Sequence, residues 1–293
     1  MVPTQGSDES RIVPVLAGGG GRFAAHVGAL QAIEELGISY DTLVGVSGGS
    51  IVGALAAFGY SLAEIRKLTL ETDLSSFADP SILSLLRTGG LSSGNTFEAW
   101  VNDLLQGMTF AELDFDYYVV ATDVRSGRPV VFSRHTHPDT PVALAVRFSM
   151  SVPILLSFKE YGDHLMVDGS ILSEEALQRD WAGDGTPVAV FKLRSSGGGR
   201  RRPKRASMLP LRDYLELLVQ TFMTALSREY INEAFWLSTI VIETGDTSPF
   251  DLKLGRAEKE RLFTVGYDTT CDVLPHKLMR QSVADRKTLV AGD

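Results

Sequence analysis

The sequence predicts an α/β fold with a mostly parallel central sheet. An apolar segment at residues 11–17 runs into four consecutive glycines and then into residues 23–36, where apolar side chains recur at helical spacing. A second apolar segment, Thr42 to Val46, meets Ser47 and is followed at once by the small-residue sequence GGSIVGALAAFG. The order strand, helix, strand, helix is typical of a parallel α/β sheet.

The rest of the chain supplies further elements for this sheet. Gly37 marks the end of the first helix. Strands are expected at 117–121, 129–133, 164–167, 187–193 and 239–243, and helices at 142–150 and about 211–236. No repeat or linker divides the chain, so we expect one domain at 11–293 after a flexible tail at 1–10. Within it, residues 61–116 are a candidate helical lid and 195–206 an exposed basic loop.

Composition and charge exclude several classes of protein. Hydrophobic residues make up 44% of the 293 residues and charged residues 22%, which excludes a disordered chain, a collagen-like fibre and a coiled coil. The single cysteine, Cys271, excludes an intramolecular disulfide and a Cys-rich zinc module. The net charge of −8 argues against nucleic-acid binding, which needs cations to neutralise phosphates.

The N-terminal sequence MVPTQGSDES lacks the basic and apolar regions of a signal peptide. The most apolar stretch, residues 43–59, is short for a membrane span, which takes about 20 residues. We therefore expect a soluble, cytoplasmic protein whose contact with a membrane is at most peripheral. The sequence does not indicate an oligomeric state.

The strongest chemical signal is the segment Gly45-Val46-Ser47-Gly48-Gly49, which matches the G-x-S-x-G pattern of a nucleophile elbow. In such a turn between a strand and a helix, the serine hydroxyl projects toward a substrate, and the flanking glycines avoid steric collisions. The N-terminal end of the following helix favours a developing anion. The alternative is a tight packing turn whose serine has no chemical role.

A second signal is the run Gly18-Gly19-Gly20-Gly21-Arg22 between the first strand and the first helix. Four glycines cost backbone entropy, so they favour a loop that presents bare N–H groups. Such groups can form an oxyanion hole or a phosphate cradle, and the plain alternative is a strand–helix turn. The dinucleotide pattern G-x-G-x-x-G fails because residue 24 is alanine, and the P-loop fails because no Gly-Lys-Ser/Thr follows.

A third signal is Asp168-Gly169, which follows the short apolar strand HLMV. An isolated Asp-Gly is usually a turn, but a carboxylate at a strand end can also lie beside a serine on a neighbouring strand. Taken together, the Gly-rich loop with its arginine, the G-x-S-x-G and the distant Asp-Gly resemble the patatin-like phospholipase family. Residues 119–132, 141–153 and 239–254 are similar to that family as well, so the resemblance covers nearly the whole chain.

The resemblance implies a three-layer α/β/α sandwich and a lipid acyl hydrolase of phospholipase A or lysophospholipase type. Its substrates would be phospholipid or lysophospholipid at a membrane surface, and no cofactor or metal is implied. Ser47 would be the nucleophile and Asp168 the base of a Ser-Asp dyad. The oxyanion would be held by the backbone N–H groups of Gly19, Gly20, Gly21, Arg22 and Gly48.

Two residues depart from the usual family pattern. Phe23 stands where glycine usually follows the basic residue, and Ser170 stands where Gly or Ala usually follows Asp-Gly. Phe23 either narrows the loop or packs into the core, and it keeps open a non-catalytic module that binds an acyl chain or a partner. The sequence is also compatible with a Ser-His-Asp hydrolase that uses His276 and with an acyltransferase at the same site.

Basic residues offer candidate contacts with anionic lipid. Six cations lie between Arg194 and Arg205, among them Arg200, Arg201 and Arg202, in an otherwise acidic chain. The plain alternative is a solvated loop. Arg22 either pins the Gly-rich loop by a salt bridge or contacts an anionic head group. We interpret the remaining histidines as packing or surface residues; they are His26, His135, His137 and His164.

Overall fold

A computed structural model of the chain describes residues 10–77, 90–171, 177–195 and 235–291. The strands within these residues are β1 (Val13–Ala17), β2 (Thr42–Val46), β3 (Gly90–Ser92), β4 (Asp116–Asp123), β5 (Arg128–Phe132), β6 (Ile154–Leu156), β7 (Lys159–Tyr161), β8 (His164–Val167), β9 (Val188–Arg194) and β10 (Thr239–Glu243). The α-helices are α1 (Ala24–Glu35), α2 (Gly48–Phe58), α3 (Leu62–Glu71), α4 (Asn95–Leu104), α5 (Val142–Ser149) and α6 (Arg256–Ala291).

The central sheet has the strand order β10-β9-β1-β2-β4-β8-β7, with β5 paired to β4. Strands β10, β9, β1, β2 and β4 are mutually parallel, and β5, β8 and β7 are added antiparallel. The carboxyl ends of the parallel strands therefore share one edge of the sheet, which is where ligand sites of open α/β folds lie. The predicted mostly parallel α/β fold is confirmed.

Both faces of the sheet are buried, which explains why the inner strands β1 and β2 are almost entirely apolar. Successive side chains of a strand point to opposite faces. Leu16 and Val119 belong to the large core cluster that the α-helices cover. Val15 and Val120 lie on the opposite face, in a smaller cluster with Trp181.

Strand β4 brings β2 and β8 together end to end. Residues 119–120 of β4 pair with β2 on one side and with β5 on the other. Residues 122–123 pair with β5 and with β8, so β2 and β8 lie on the same side of β4. They run in opposite directions and stop on either side of Ala121, because Val46 pairs with Val120 and Val167 with Thr122. The residues that follow the two strands therefore meet at this point.

Most predicted elements match the structure within a few residues, and the second strand matches at both ends. The short strands β3, β6 and β7 were not predicted, because three residues carry too little periodicity. In the candidate lid at 61–116, α3 and α4 contribute buried side chains to the core, and residues 78–89 lie outside the described residues. Residues 1–9, the loop at 196–206 and most of the helix expected at 211–236 also lie outside them.

Candidate active site

Ser47 occupies a strained turn between β2 and α2. Its φ of 52° and ψ of −129° place a non-glycine residue in a left-handed conformation, which costs about 1–3 kcal/mol. The turn is held from outside, since the Ser47 N–H donates to Ser149 Oγ at 2.8 Å. The Ser149 hydroxyl in turn donates to the carbonyl oxygen of Val120 at 2.6 Å. Helix α5 thus fastens the turn to strand β4.

The glycines around Ser47 are required by close backbone contacts. A Cβ atom on Gly45 would lie 2.6 Å from the Cα of Ser50. A Cβ atom on Gly49 would overlap the backbone carbonyl of Leu16 in β1. The G-x-S-x-G spacing is therefore a steric consequence of turning a strand into a helix against a neighbouring strand.

The Ser47 hydroxyl donates a hydrogen bond to Asp168, which is 121 positions away in the sequence. The Oγ to Oδ2 distance is 2.7 Å. The other carboxylate oxygen, Oδ1, accepts the N–H of Ser170 at 2.7 Å, and the Asp168 N–H donates to the Ser151 carbonyl at 2.9 Å. Ser47 is 3% exposed and Asp168 is fully buried, so an incoming ester would meet a nearly enclosed pair.

Burial makes Asp168 a stronger base than an ordinary aspartate. Loss of solvation raises its pKa to about 6, although hydrogen bonds from the Ser170 amide and from the Ser47 and Ser170 hydroxyls oppose the shift. An exposed aspartate has a pKa of about 3.9. The Asp168 carboxylate is thus still ionised at neutral pH, and it accepts a proton more readily than an exposed carboxylate does.

The Gly-rich loop is bonded to both sides of Ser47. The Gly18 N–H donates to the Val46 carbonyl at 3.1 Å, and the Gly18 carbonyl accepts the N–H of Gly49 at 3.1 Å. Gly18, Gly19 and Gly20 have φ values of 74°, 118° and 52°, so the loop needs glycine at these positions. A Cβ atom on Gly48 would lie 2.7 Å from the Gly20 nitrogen, so the two backbones touch.

Hydrogen bonds made by two loop amides reduce the number of N–H groups that are available as oxyanion donors. The Gly21 N–H donates to the Pro249 carbonyl at 2.9 Å, and the Arg22 N–H donates to the Gly19 carbonyl at 2.9 Å. These two amides are therefore engaged elsewhere, which corrects the sequence-based set. The N–H groups of Gly19, Gly20 and Gly48 have no hydrogen-bond partner among the residues that the structure describes.

Arg22 anchors the loop instead of facing solvent. It is 4% exposed, and its guanidinium donates to the Gly19 carbonyl, to Ser195 Oγ and to Thr244 Oγ1. Burial lowers the pKa of Arg22 to about 10, so it remains charged at neutral pH. Among the described residues, Arg22 thus pins the loop through neutral oxygen acceptors and not through the salt bridge that the sequence suggested. Phe23, the departure from the family pattern, packs into the core at 3% exposure.

The histidines other than His26 lie apart from the Ser47–Asp168 pair. His276 is exposed on α6. His164 contacts Asp123 at 3.1 Å, His135 contacts Asp116, and the His137 ring bonds to the Val131 carbonyl. No group of three or more potential metal ligands occurs among the described residues. None of the described helices is both long enough and apolar enough to span a bilayer.

Two residues outside the motifs help to build the site. Ser149 carries no signal in the sequence, and for Asp123 the sequence indicates only a structural role near the sheet edge. Asp123 accepts hydrogen bonds from the Leu165 N–H, the Ser126 hydroxyl and His164, so it fastens β8, and with it Asp168, to β4. The Leu165 hydrogen bond is the main reason that the pKa of Asp123 lies well below its usual range. Arg200, Arg201 and Arg202, the candidate lipid contacts, lie outside the described residues.

Known proteins resemble this chain in sequence. The model of the family described as patatin-like phospholipase matches residues 15–177, which include Ser47 and Asp168. The protein YqhO of Bacillus subtilis (strain 168) is 29% identical over 279 residues, spanning 86% of this chain and 94% of that one. Patatin-like phospholipase domain-containing protein 6 of Homo sapiens is 29% identical over 168 residues, or 55% of this chain and 12% of that one.

Solved structures share the fold. VipD from Legionella pneumophila aligns with a TM-score of 0.60 at 15% identity, covering 92% of this chain and 67% of that chain. The type III effector protein ExoU aligns with a TM-score of 0.50 at 18% identity, covering 92% of this chain and 53% of that chain. At such identities the likeness concerns the fold alone.

Proposed function

The chain belongs to the patatin-like phospholipase family, and from this premise we propose that it is a lipid acyl hydrolase. It cleaves carboxylic esters of phospholipid or lysophospholipid through an acyl-serine intermediate. Ser47 is the nucleophile and Asp168 the base. The observation that carries the proposal is the 2.7 Å hydrogen bond from the Ser47 hydroxyl to a buried carboxylate of raised pKa.

Acylation follows from the positions of the two side chains. Asp168 takes the hydroxyl proton while Ser47 Oγ bonds to the ester carbonyl carbon, and the carbonyl π electrons move onto oxygen. The free N–H groups of Gly19, Gly20 and Gly48 stabilise that oxyanion. Removing one donor of this kind typically costs about 2.7–4 kcal/mol of transition-state stabilisation. The carbonyl then re-forms as the bond to the alkoxy group breaks, and Asp168 gives its proton to the departing alkoxide oxygen, which leaves as the alcohol.

Deacylation repeats the same steps with water. Asp168, ionised again, takes a proton from water while the water oxygen bonds to the acyl carbon. Collapse of the second tetrahedral intermediate breaks the bond to Ser47 Oγ, which regains its proton from Asp168 and releases the fatty acid. A carboxylate suffices as the base because burial has raised its pKa and the amides carry the developing charge.

Fatty-acid release and covalent trapping test the proposal together. We expect the purified protein to release fatty acid from phosphatidylcholine vesicles or lysophosphatidylcholine micelles. An alkyl fluorophosphonate should stop the reaction and add its mass to the peptide that contains Ser47. His276→Ala is the control for the triad alternative and should retain activity. Absence of turnover, a label on another residue, or loss of activity in His276→Ala would refute the proposed dyad.

Ser170 provides a pH-dependent test of the base. Its N–H donates to Asp168 Oδ1 at 2.7 Å, and its hydroxyl is a further, smaller influence that lowers the pKa of that carboxylate. Since Asp168 acts when ionised, activity should fall as the pH drops through about 6. We expect Ser170→Ala to move this acidic limb of kcat/KM to higher pH by up to about one unit, because a hydrogen bond contributes ~1 kcal/mol.

The matched control for this shift is Ser75→Ala. That serine hydroxyl donates to the exposed Asp73 carboxylate at 2.6 Å, so a hydroxyl beside a carboxylate is removed away from the Ser47–Asp168 pair. Its pH profile should coincide with that of the wild type. A Ser170→Ala profile that stays in place, or moves to lower pH, would contradict the assignment of Asp168 as the base.

A further inference from the structure

His26 is a fully buried histidine behind the Gly-rich loop. It lies in the first turn of α1, and its Nε2 is 3.1 Å from the Gly18 carbonyl oxygen. A carbonyl oxygen only accepts hydrogen bonds, so Nε2 must carry the proton. Nδ1 is buried without a hydrogen-bond partner among the described residues. Burial lowers the pKa of His26 to about 4, which keeps the ring neutral near pH 7.

The Gly18 carbonyl belongs to the same peptide unit as the Gly19 N–H. In a trans peptide these two bonds point in opposite directions, and the described residues contain no cis peptide bond. The carbonyl is held by two donors, the Gly49 N–H at 3.1 Å and His26 Nε2 at 3.1 Å. Fixing the carbonyl on one side of the peptide plane therefore fixes the direction of the Gly19 N–H on the other side.

We propose that His26 is a positioning residue for the reaction, because its Nε2–H orients the peptide that presents the Gly19 amide to the oxyanion. This inference rests on the proposed hydrolase function. His26 touches no reacting atom and acts through the Gly18–Gly19 peptide. Its hydrogen bond also polarises that peptide, because hydrogen bonds in a chain reinforce one another.

The chemistry of the ring separates this role from simple packing. An apolar side chain would fill the same space without burying an unpartnered Nδ1, and such an atom costs about 1–3 kcal/mol. The Gly19 backbone has a φ of 118°. Because glycine has no side chain, the residue itself does not hold the backbone at this angle. A loop of such residues needs external donors to hold one amide direction, and His26 supplies the side-chain donor to the Gly18 carbonyl.

The variants His26→Met and His26→Gln test the proposal. Methionine fills the space without a donor, whereas glutamine carries an N–H group at a similar reach. In His26→Met we expect kcat to fall at least about tenfold with KM nearly unchanged, since a misdirected oxyanion donor affects the transition state and not ground-state binding. His26→Gln should restore most of kcat. The rate of Ser47 labelling by a fluorophosphonate should fall and recover in parallel.

His137→Met is the matched control, because the His137 ring also contacts a backbone carbonyl at 3.1 Å, that of Val131, outside the Gly-rich loop. It should keep the wild-type kcat even if its thermal stability drops. Wild-type kcat in a folded His26→Met, a loss confined to KM, or a folded His26→Gln without rescue would overturn the inference. An inactive wild-type protein would instead refute the proposed function.

A measurement on the wild-type protein covers the case in which His26→Met does not fold. Nitrogen-15 NMR of the imidazole should show a neutral ring with its proton on Nε2 at pH 7. A proton on Nδ1 would leave no donor for the Gly18 carbonyl and would overturn the inference without any variant.

Discussion

Replacing Ser47 with alanine is expected to lower kcat by a factor of about 10⁴ or more, because the variant lacks the hydroxyl that is proposed to form the acyl intermediate. The fold should remain intact. The strained backbone at Ser47 is stabilised by the hydrogen bond from its own N–H to Ser149 Oγ, which alanine retains. Steady-state hydrolysis of a nitrophenyl acyl ester together with thermal unfolding measures both properties in the same preparation.

Ser238→Ala is the control for the loss of a serine hydroxyl. The Ser238 hydroxyl donates to Gln178 at 2.6 Å just before β10, at the opposite edge of the sheet from the carboxyl ends. Its activity should equal that of the wild type. A folded Ser47→Ala that retains more than about one hundredth of the wild-type kcat would exclude an acyl-Ser47 intermediate.

Replacing Asp168 with asparagine is expected to have opposite effects on activity and on stability. Asparagine cannot take the Ser47 proton, so kcat should fall by a factor of about 10³ or more. The same change removes a buried carboxylate whose pKa has been raised to about 6. At neutral pH this buried charge destabilises the folded wild-type protein, whereas asparagine carries no charge.

The size and direction of the stability change follow from proton linkage. The pKa of Asp168 rises from 3.8, the value for an unperturbed aspartate, to about 6 in the folded protein. Between these pH values the folded state therefore binds more protons than the unfolded state does. Stability therefore falls as the pH rises through this window, by roughly 3 kcal/mol in total at 1.36 kcal/mol per unit. At pH 8, Asp168→Asn should be more stable than the wild type by up to that amount, and the difference should vanish near pH 4.

Chemical denaturation at pH 8 and pH 4 measures this difference directly. Asp163→Asn, an exposed aspartate in the turn before β8, should show no stability gain at either pH. A gain for Asp168→Asn that is equal at both pH values would mean that the buried charge is not its cause. Unchanged activity in that variant would remove Asp168 from the mechanism.

Much of the fold can be predicted from local patterns in the sequence. Runs of apolar residues ended by glycine predicted β1 and β2, and α1 and α2 followed from helical spacing and small residues. The G-x-S-x-G elbow was recognisable because its glycines answer contacts made within one turn and with the adjacent strand. The strands β3, β6 and β7 were missed because their pairing partners, not their own residues, define them.

The amino-acid sequence alone indicates the candidate reactive groups and their order: a serine at a turn between a strand and a helix, an earlier glycine run and a later carboxylate at a strand end. That these groups meet is a property of the folded chain, because β2 and β8 end on either side of Ala121 along the same strand. The fold also sets which loop amides have no partner among the described residues, how Arg22 anchors the loop, and that His26 contacts the Gly18 carbonyl. The difference lies in the distance along the chain over which each interaction acts. Steric limits on φ and ψ act between neighbouring residues and can be read along the chain, whereas strand register, burial and hydrogen-bond partners depend on segments more than a hundred residues apart.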